Sequence, residues 1–205
     1  MSANTEAGFS VVSWNGNAST ATIGHGLGSA PKMIITKARN VAGTRWNTFH
    51  ASVGTGKYLS LDTTNAASTF ANAWPTLPDE NVWYMSSWEN YTGENYISYV
   101  FAEVAGFSKF GSYSGTGAAG NFQDCGFEPA FIMFKASNQT SDWNILDNKR
   151  DTTNPNTLLL NANKSDAEVN LAFGVNFESN GFSFSGDFFN TVGFDFIYMA
   201  FADQF

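Results

Sequence analysis

Val175-Asn-Phe-Glu-Ser-Asn-Gly-Phe-Ser-Phe-Ser185 sets the reading of the chain. Residues 175–178 alternate between apolar and polar, residues 182–185 alternate again, and Asn180-Gly181 suits the positive φ of a tight turn. That pattern predicts a β-hairpin. Working outward, Lys32–Lys37 and Ala130–Lys135 are β-branched and aromatic runs of strand length bounded by turn residues. Tyr96–Ala102 and Asp195–Phe201 read as strands apolar on both faces, hence central and covered. Helical texture is confined to Asn65–Ser68 and Lys164–Glu168, with at most one turn in each. Short strands with turns about every 8 to 12 residues predict an all-β sandwich or barrel.

The chain also repeats itself. Gly8-Phe9-Ser10 returns as Gly106-Phe107-Ser108, and Trp14-Asn-Gly16 as Tyr113-Ser-Gly115. Pro31–Ala38 returns as Pro129–Ala136, Trp46-Asn47 as Trp143-Asn144, Leu59-Ser-Leu61 as Leu158-Leu-Leu160, and Phe101-Ala-Glu103 as Phe201-Ala-Asp203. The offsets run from 97 to 100 residues and the order never breaks, as loop insertions in a duplicated domain would leave it. The expectation is two tandem β-sandwich repeats of jelly-roll or lectin-like type, residues 1–104 and 105–205, packed together. One fused sandwich with pseudo-twofold symmetry is the alternative.

Composition narrows the function classes. Hydrophobic residues make up 43% of the 205 residues, enough for a core, so wholesale disorder is excluded. A net charge of −8 repels phosphate and argues against nucleic acid and anionic membrane as partners. A single cysteine, Cys125, leaves no disulfide framework and reads as a small apolar residue. No apolar run reaches the roughly 18 to 20 residues of a membrane helix. The first eight residues carry no basic or apolar signal-peptide pattern.

Catalytic constellations are sparse. A glycosidase needs two carboxylates across a groove, which Glu89, Glu94 or Asp187 would have to supply. No Gly-x-Ser-x-Gly elbow occurs. His25, in Gly24-His-Gly-Leu-Gly28, reads as a turn residue rather than part of a phosphate loop, and His50 as a strand-end surface residue. Asp147–Asn156 is rich in oxygen ligands suited to calcium but lacks the spacing of an EF-hand, and Lys149 and Arg150 oppose a cation. It reads as an Asx-rich turn with an Arg150 ion pair to Asp147 or Asp151. Neither a metal nor a cofactor is expected. Trp46 and Trp143 recur in both copies and read as core pillars. The Asn72–Asn95 stretch is different, holding Trp74, Trp83, Tyr84, Trp88 and Tyr91 among amides and carboxylates, where the second copy has Phe182, Phe184, Phe188 and Phe189. Aromatic rings beside polar groups suit a sugar, and Trp88, Asn90 and Tyr91 are the candidate ligand-binding residues. The Asn-x-Ser/Thr patterns at Asn17, Asn90, Asn138 and Asn163 follow from composition alone.

In the second copy, Gly126-Phe-Glu-Pro129 leads to a strand ending at Lys135 and then to Trp143-Asn-Ile-Leu-Asp147 with Arg150. Ala167-Glu168, Phe177–Phe182, Asn190, Gly193 and a last aromatic strand follow. This pattern resembles a repeat domain of tailed-bacteriophage virion proteins, common in marine phages and often found in tail fibres beside laminin-G or lectin-like modules. The first copy departs from it: His50 stands for the Asp, no Arg follows, and Asn81-Val-Trp-Tyr84 replaces the Ser-Asn-Gly-Phe hairpin. The resemblance implies a virion context, and with no catalytic constellation among the residues the expectation is a non-enzymatic virion surface protein, a tail-fibre, tail-tip or capsid-decorating adhesin that attaches to host cell-surface glycan or envelope. Its expected partners are host cell-surface glycan, other virion proteins and further copies of itself, with no membrane insertion. A purely structural virion protein is the first alternative, and a carbohydrate-active enzyme the second.

Overall fold

The computed structural model describes residues 1–204 and contains strands and no helix among them. The chain divides into two compact units, Met1–Val104 and Ala105–Phe205. The first holds β1 (Ser2–Asn4), β2 (Phe9–Asn15), β3 (Ala21–Gly24), β4 (Pro31–Ala38), β5 (Asn47–His50), β6 (Lys57–Ser60), β7 (Ser68–Thr69), β8 (Val82–Met85) and β9 (Asn95–Ala102). The second holds β10 (Ser108–Ser114), β11 (Phe122–Asp124), β12 (Phe131–Ala136), β13 (Asn144–Asp147), β14 (Asn156–Asn161), β15 (Val169–Glu178), β16 (Gly181–Phe184) and β17 (Asp195–Phe201).

The second unit is one eight-stranded sheet in the order β10-β17-β12-β13-β14-β15-β16-β11. It curls until its two halves face each other, nearly closing into a barrel. Ile132, Phe134, Leu146, Phe196 and Tyr198 from one half pack in a single core with Val175, Phe177, Phe182 and Phe184 from the other. Phe182 meets the Tyr198 ring edge-on at 5.1 Å, and Tyr113 stacks on Phe196 at 4.9 Å. A register shift in the β14–β15 pairing, between Asn156 and Leu158, marks where the sheet bends. The hairpin at Asn180-Gly181 forms as its alternation predicts, pairing Val175 with Phe184 and Glu178 with Gly181.

The first unit has the same strand order, β2-β9-β4-β5-β6-β7 beside a β3–β8 pair, with β1 added at one edge and the sheet broken between β7 and β8. The break has a chemical cause. β7 is two residues long, and Pro75 and Pro78 lie between it and β8, where each lacks the N–H a ladder requires. The core gathers Ile34, Phe49, Trp74, Trp83, Met85 and Val100. Neither short helical stretch forms. Ser68 pairs with Tyr58 in β7, and residues 165–168 are irregular.

In each unit the last strand is central: β9 lies between β2 and β4, and β17 between β10 and β12. The repeated glycine after the first long strand makes room for the turn that feeds the last one. A Cβ on Gly16 would lie 2.1 Å from Tyr91 O, and one on Gly115 1.9 Å from Thr191 O. Gly115→Ala is therefore expected to cost about 1–3 kcal/mol through forced backbone movement. Gly120→Ala, whose Cβ would meet nothing within 4 Å, carries only the conformational cost of its φ of +86°. Urea denaturation of the two variants side by side checks the difference.

Candidate functional site

Asn90 holds the turn in place. Its side chain is fully buried. Its Oδ1 accepts from Asn17 N at 3.0 Å, its Nδ2 lies within hydrogen-bonding reach of Asn17 Oδ1, Ser19 O and Ser86 O, and its backbone O accepts from Ala18 N at 2.6 Å. Asn190 repeats the device: Oδ1 accepts from Thr116 N at 2.8 Å, Nδ2 donates to Ala118 O at 2.6 Å, and Gly117 N donates to its backbone O. The expectation that Asn90 contacts a ligand is thereby corrected, because a buried amide with every donor and acceptor engaged has nothing left to offer one. Asn90→Ala should lower stability by about 1–3 kcal/mol, the cost of stranding its buried partners, as urea denaturation would show.

The other two candidates face differently. Trp88 is half-buried in an aromatic cluster, 4.8 Å from Tyr58, 6.0 Å from Phe70 and 6.4 Å from Trp74 between ring centroids. Phe70, at 43% exposure, forms its outer edge, and Tyr91 is 47% exposed. The three predicted residues thus do not form one face: Asn90 points inward, while Trp88 and Tyr91 reach the surface.

A polar cluster lies beside them, of which the sequence reading singled out Glu89 and Glu94 only as possible glycosidase carboxylates and left Tyr96 aside. Glu89, Glu94 and Tyr96 stand where the second unit has Phe189, Phe194 and Phe196, each 100 residues on. Tyr96 Oη donates to Glu94 Oε2. The Glu89 carboxyl is pushed above the ordinary carboxylate range, by burial first and then by the charge of Glu94, against the opposing hydrogen bond from Asn47 and the charge of Lys37. Its backbone sits in the left-handed region with φ of +49°, a strained conformation for a side-chain-bearing residue. The signal that could have found it is the exchange of two core phenylalanines, and a third packed against them, for two glutamates and a tyrosine. Folding favours the protonated form of Glu89, so its ionisation weakens the fold. That penalty is absent below the ordinary carboxylate pKa and sets in as pH rises through the raised one. Glu89→Gln, which cannot ionise, should melt a few degrees above the wild type near neutral pH and no higher than it at about pH 4.

Both histidines of the first unit are buried, His25 in the turn expected of it and His50 away from the surface expected of it. His25 is fully buried: Nδ1 accepts from Leu27 N, Nε2 lies 3.1 Å from Asp79 O, and burial lowers its pKa. His50 is also buried and accepts from Ser52 N, so it is not on the surface. Both imidazoles hold turns rather than act on solvent. Trp143 is buried as a core pillar, whereas Trp46 is only half-buried, beneath the Lys37 ammonium at 5.4 Å. Asp147 accepts Arg150 Nε at 2.6 Å and caps Lys149 N and Arg150 N, and Arg150 also pairs with Glu168. Asp151 accepts from Thr153 N and Oγ1, Thr157 N and Oγ1, and Leu158 N. Burial raises its pKa, but those donors outweigh it and hold the carboxyl down at about 2. Both carboxylates of this Asx-rich loop are therefore occupied. Among the described residues no group of three or more His, Cys, Asp or Glu is placed to hold a metal ion, and no helix is long and apolar enough to cross a membrane.

The family described as "Domain of unknown function (DUF7483)" matches residues 1–204, and the chain belongs to it. The match spans both units. No curated protein and no solved structure matches the chain.

Proposed function

We propose that this chain is a non-enzymatic surface protein of a bacteriophage virion, on the tail or the capsid, that attaches to host cell-surface glycan. We further read the two units as tandem copies of one β-sandwich. Three lines support this. The residues resembling phage virion repeats run through the second unit. The matching strand orders, the Gly16/Gly115 contacts and the Asn90/Asn190 clips repeat one plan in both units. The observation that carries the ligand reading is the Trp88 cluster, whose outer edge, Phe70, is half-exposed. A flat aromatic edge next to polar groups suits the apolar face of a sugar ring. The acidic charge and the oligomers common on virions fit weak sites that gain strength by avidity.

A purely structural virion role is the second reading. Phe173, Phe188 and Val192 of the second unit are 52%, 59% and 69% exposed, an apolar surface better suited to protein than to sugar. A carbohydrate-active enzyme would rest on Glu89 and Glu94, whose carboxyls are held by Asn47 and Tyr96.

Adsorption of fluorescently labelled, multimerised protein to candidate host cells tests the proposal. Trp88→Ala removes a ring on which Tyr58, Phe70 and Trp74 lean, so the half-exposed Phe70→Ala/Tyr91→Ala pair is the more informative variant. Adhesion predicts roughly tenfold weaker adsorption of the double variant, on the order of a hot-spot loss, with its thermal melt close to that of the wild type. No adsorption by the multimerised wild type would transfer the assignment to the structural role.

A further inference from the structure

Among the described residues, β3 and β8 of the first unit pair with each other and with no third strand. Their counterparts in the second unit, β11 and β16, are built into the eight-stranded sheet, because β16 also pairs with β15. β3 and β8 nevertheless carry Ile23, Trp83 and Met85 into the core of the first unit, and Leu27 follows from the turn after β3. The pair is a strap over the core. It is held by burial and by whatever fastens its end, not by a ladder to the rest of the sheet.

His25 is the fastening. Gly24 pairs with Val82 at the end of the strap, and His25, the next residue, donates its backbone N–H to Asn81 O at 3.3 Å. Its fully buried ring ties two connections together: Nδ1 accepts from Leu27 N at 3.2 Å, and Nε2 donates to Asp79 O at 3.1 Å. Only a neutral imidazole with its proton on Nε2 makes both bonds, since an amide N–H can only donate and a carbonyl only accept. A second proton would sit on Nδ1, donor against donor with Leu27 N, and would place a charge where water does not reach. Burial lowers the pKa of His25, against the backbone hydrogen bond and the charge of Asp79. That carboxylate is engaged elsewhere, accepting from Tyr84 Oη at 2.6 Å and from Asn81 N and Val82 N at 2.8 Å each. Glu80 beside it is exposed, and Met1 and Ala3 present apolar side-chain atoms to the neighbouring Gly26.

The second unit has the same turn without a group that titrates in acid. Cys125 stands where His25 does, its N donating to Asn180 O at 2.9 Å, and a thiol stays neutral at low pH. We propose that His25 is an acid-sensitive latch, whose protonation releases the β3–β8 strap and uncovers the apolar core of the first unit while the second unit stays shut. The fold favours the neutral imidazole. The latch therefore contributes its full stability above the ordinary histidine pKa of 6.5 and loses it as pH falls through that value towards the lowered one. Glu89 acts in the opposite sense, because acid relieves its ionisation penalty, so local opening reports the latch better than a global melt does. The latch does not depend on what the Trp88 cluster binds.

The test is amide hydrogen exchange of the whole chain at about pH 7 and about pH 5, with rates corrected for the intrinsic effect of pH. Protection of β3 and β8 should fall roughly tenfold at the lower pH, while β4, β9, β11 and β16 keep theirs. Binding of an apolar fluorescent dye should rise in parallel. His25→Asn keeps an acceptor for Leu27 N, and His25→Gln keeps a donor for Asp79 O. Neither side chain titrates, so in both variants the protection of β3 and β8 should be the same at the two pH values, whatever its absolute level. His50→Asn, at the other buried imidazole, should leave the wild-type response in place. Unchanged protection of β3 and β8 in the wild type at about pH 5 would overturn the proposal, as would a fall of wild-type size in both His25 variants. An equal loss across β4 and β9 would also overturn it, because the whole unit would then be unfolding and no strap would be opening.

Discussion

Each unit depends on a buried asparagine set just before its final strand. A strand that enters the middle of a sheet must displace nothing and meet two partners at once. β9 pairs with β2 and β4, and β17 with β10 and β12, all distant in sequence. Closing loops of that length is entropically costly and slow. Asn90 and Asn190 offset the cost locally by clamping the turn before the last strand to the turn after the first long one. Gly16 and Gly115 leave the space in which the two turns meet. Asn40 and Asn138 act at the far side of the same turns, accepting from Asn95 N and Asp195 N and donating to Gly93 O and Gly193 O. Amide side chains are well suited to such work, because each can donate and accept at once.

With the frame held by these clips, the two units differ in what they enclose. The second fills the space beneath its last strand with Phe189, Phe194 and Phe196, and Phe134 meets Phe189 edge-on at 4.7 Å. The first places Glu89, Glu94 and Tyr96 there, and Trp14 stacks on Tyr96 at 4.2 Å. The exchange trades apolar burial for a hydrogen-bonded acidic cluster. The reverse trade occurs at the β5–β6 and β13–β14 connections, where the second unit carries a polar cleft and the first a short glycine-bearing loop. One scaffold thus carries two different chemistries at different places.

Much of the architecture could be read from residues alone. Alternation at 175–178 and 182–185 marked β15 and β16, and the recurrence of Pro31–Ala38 at Pro129–Ala136 marked β4 and β12. Such patterns are local, because strand periodicity and turn chemistry are carried by neighbouring residues. Asn90 was misread as a ligand residue because an asparagine beside aromatics looks the same in a list of letters whether it faces a sugar or a backbone. His50 was misplaced for the same reason: burial is conferred by strands distant in sequence.

All-β character, the repetition of one strand plan and the absence of disulfide support are therefore properties of the letters themselves, since each follows from spacing, order or composition. Which side chains lost their freedom was decided only when the sheets closed. Asp151 reads as a turn carboxylate free to pair with Arg150 until five other donors surround it, and Asn148 and Asn156 read as turn residues until the fold leaves their oxygens without partners. Hydrogen-bond saturation is a count of neighbours in space. A sequence states which donors and acceptors exist, and only the packed chain determines which of them remain unmet.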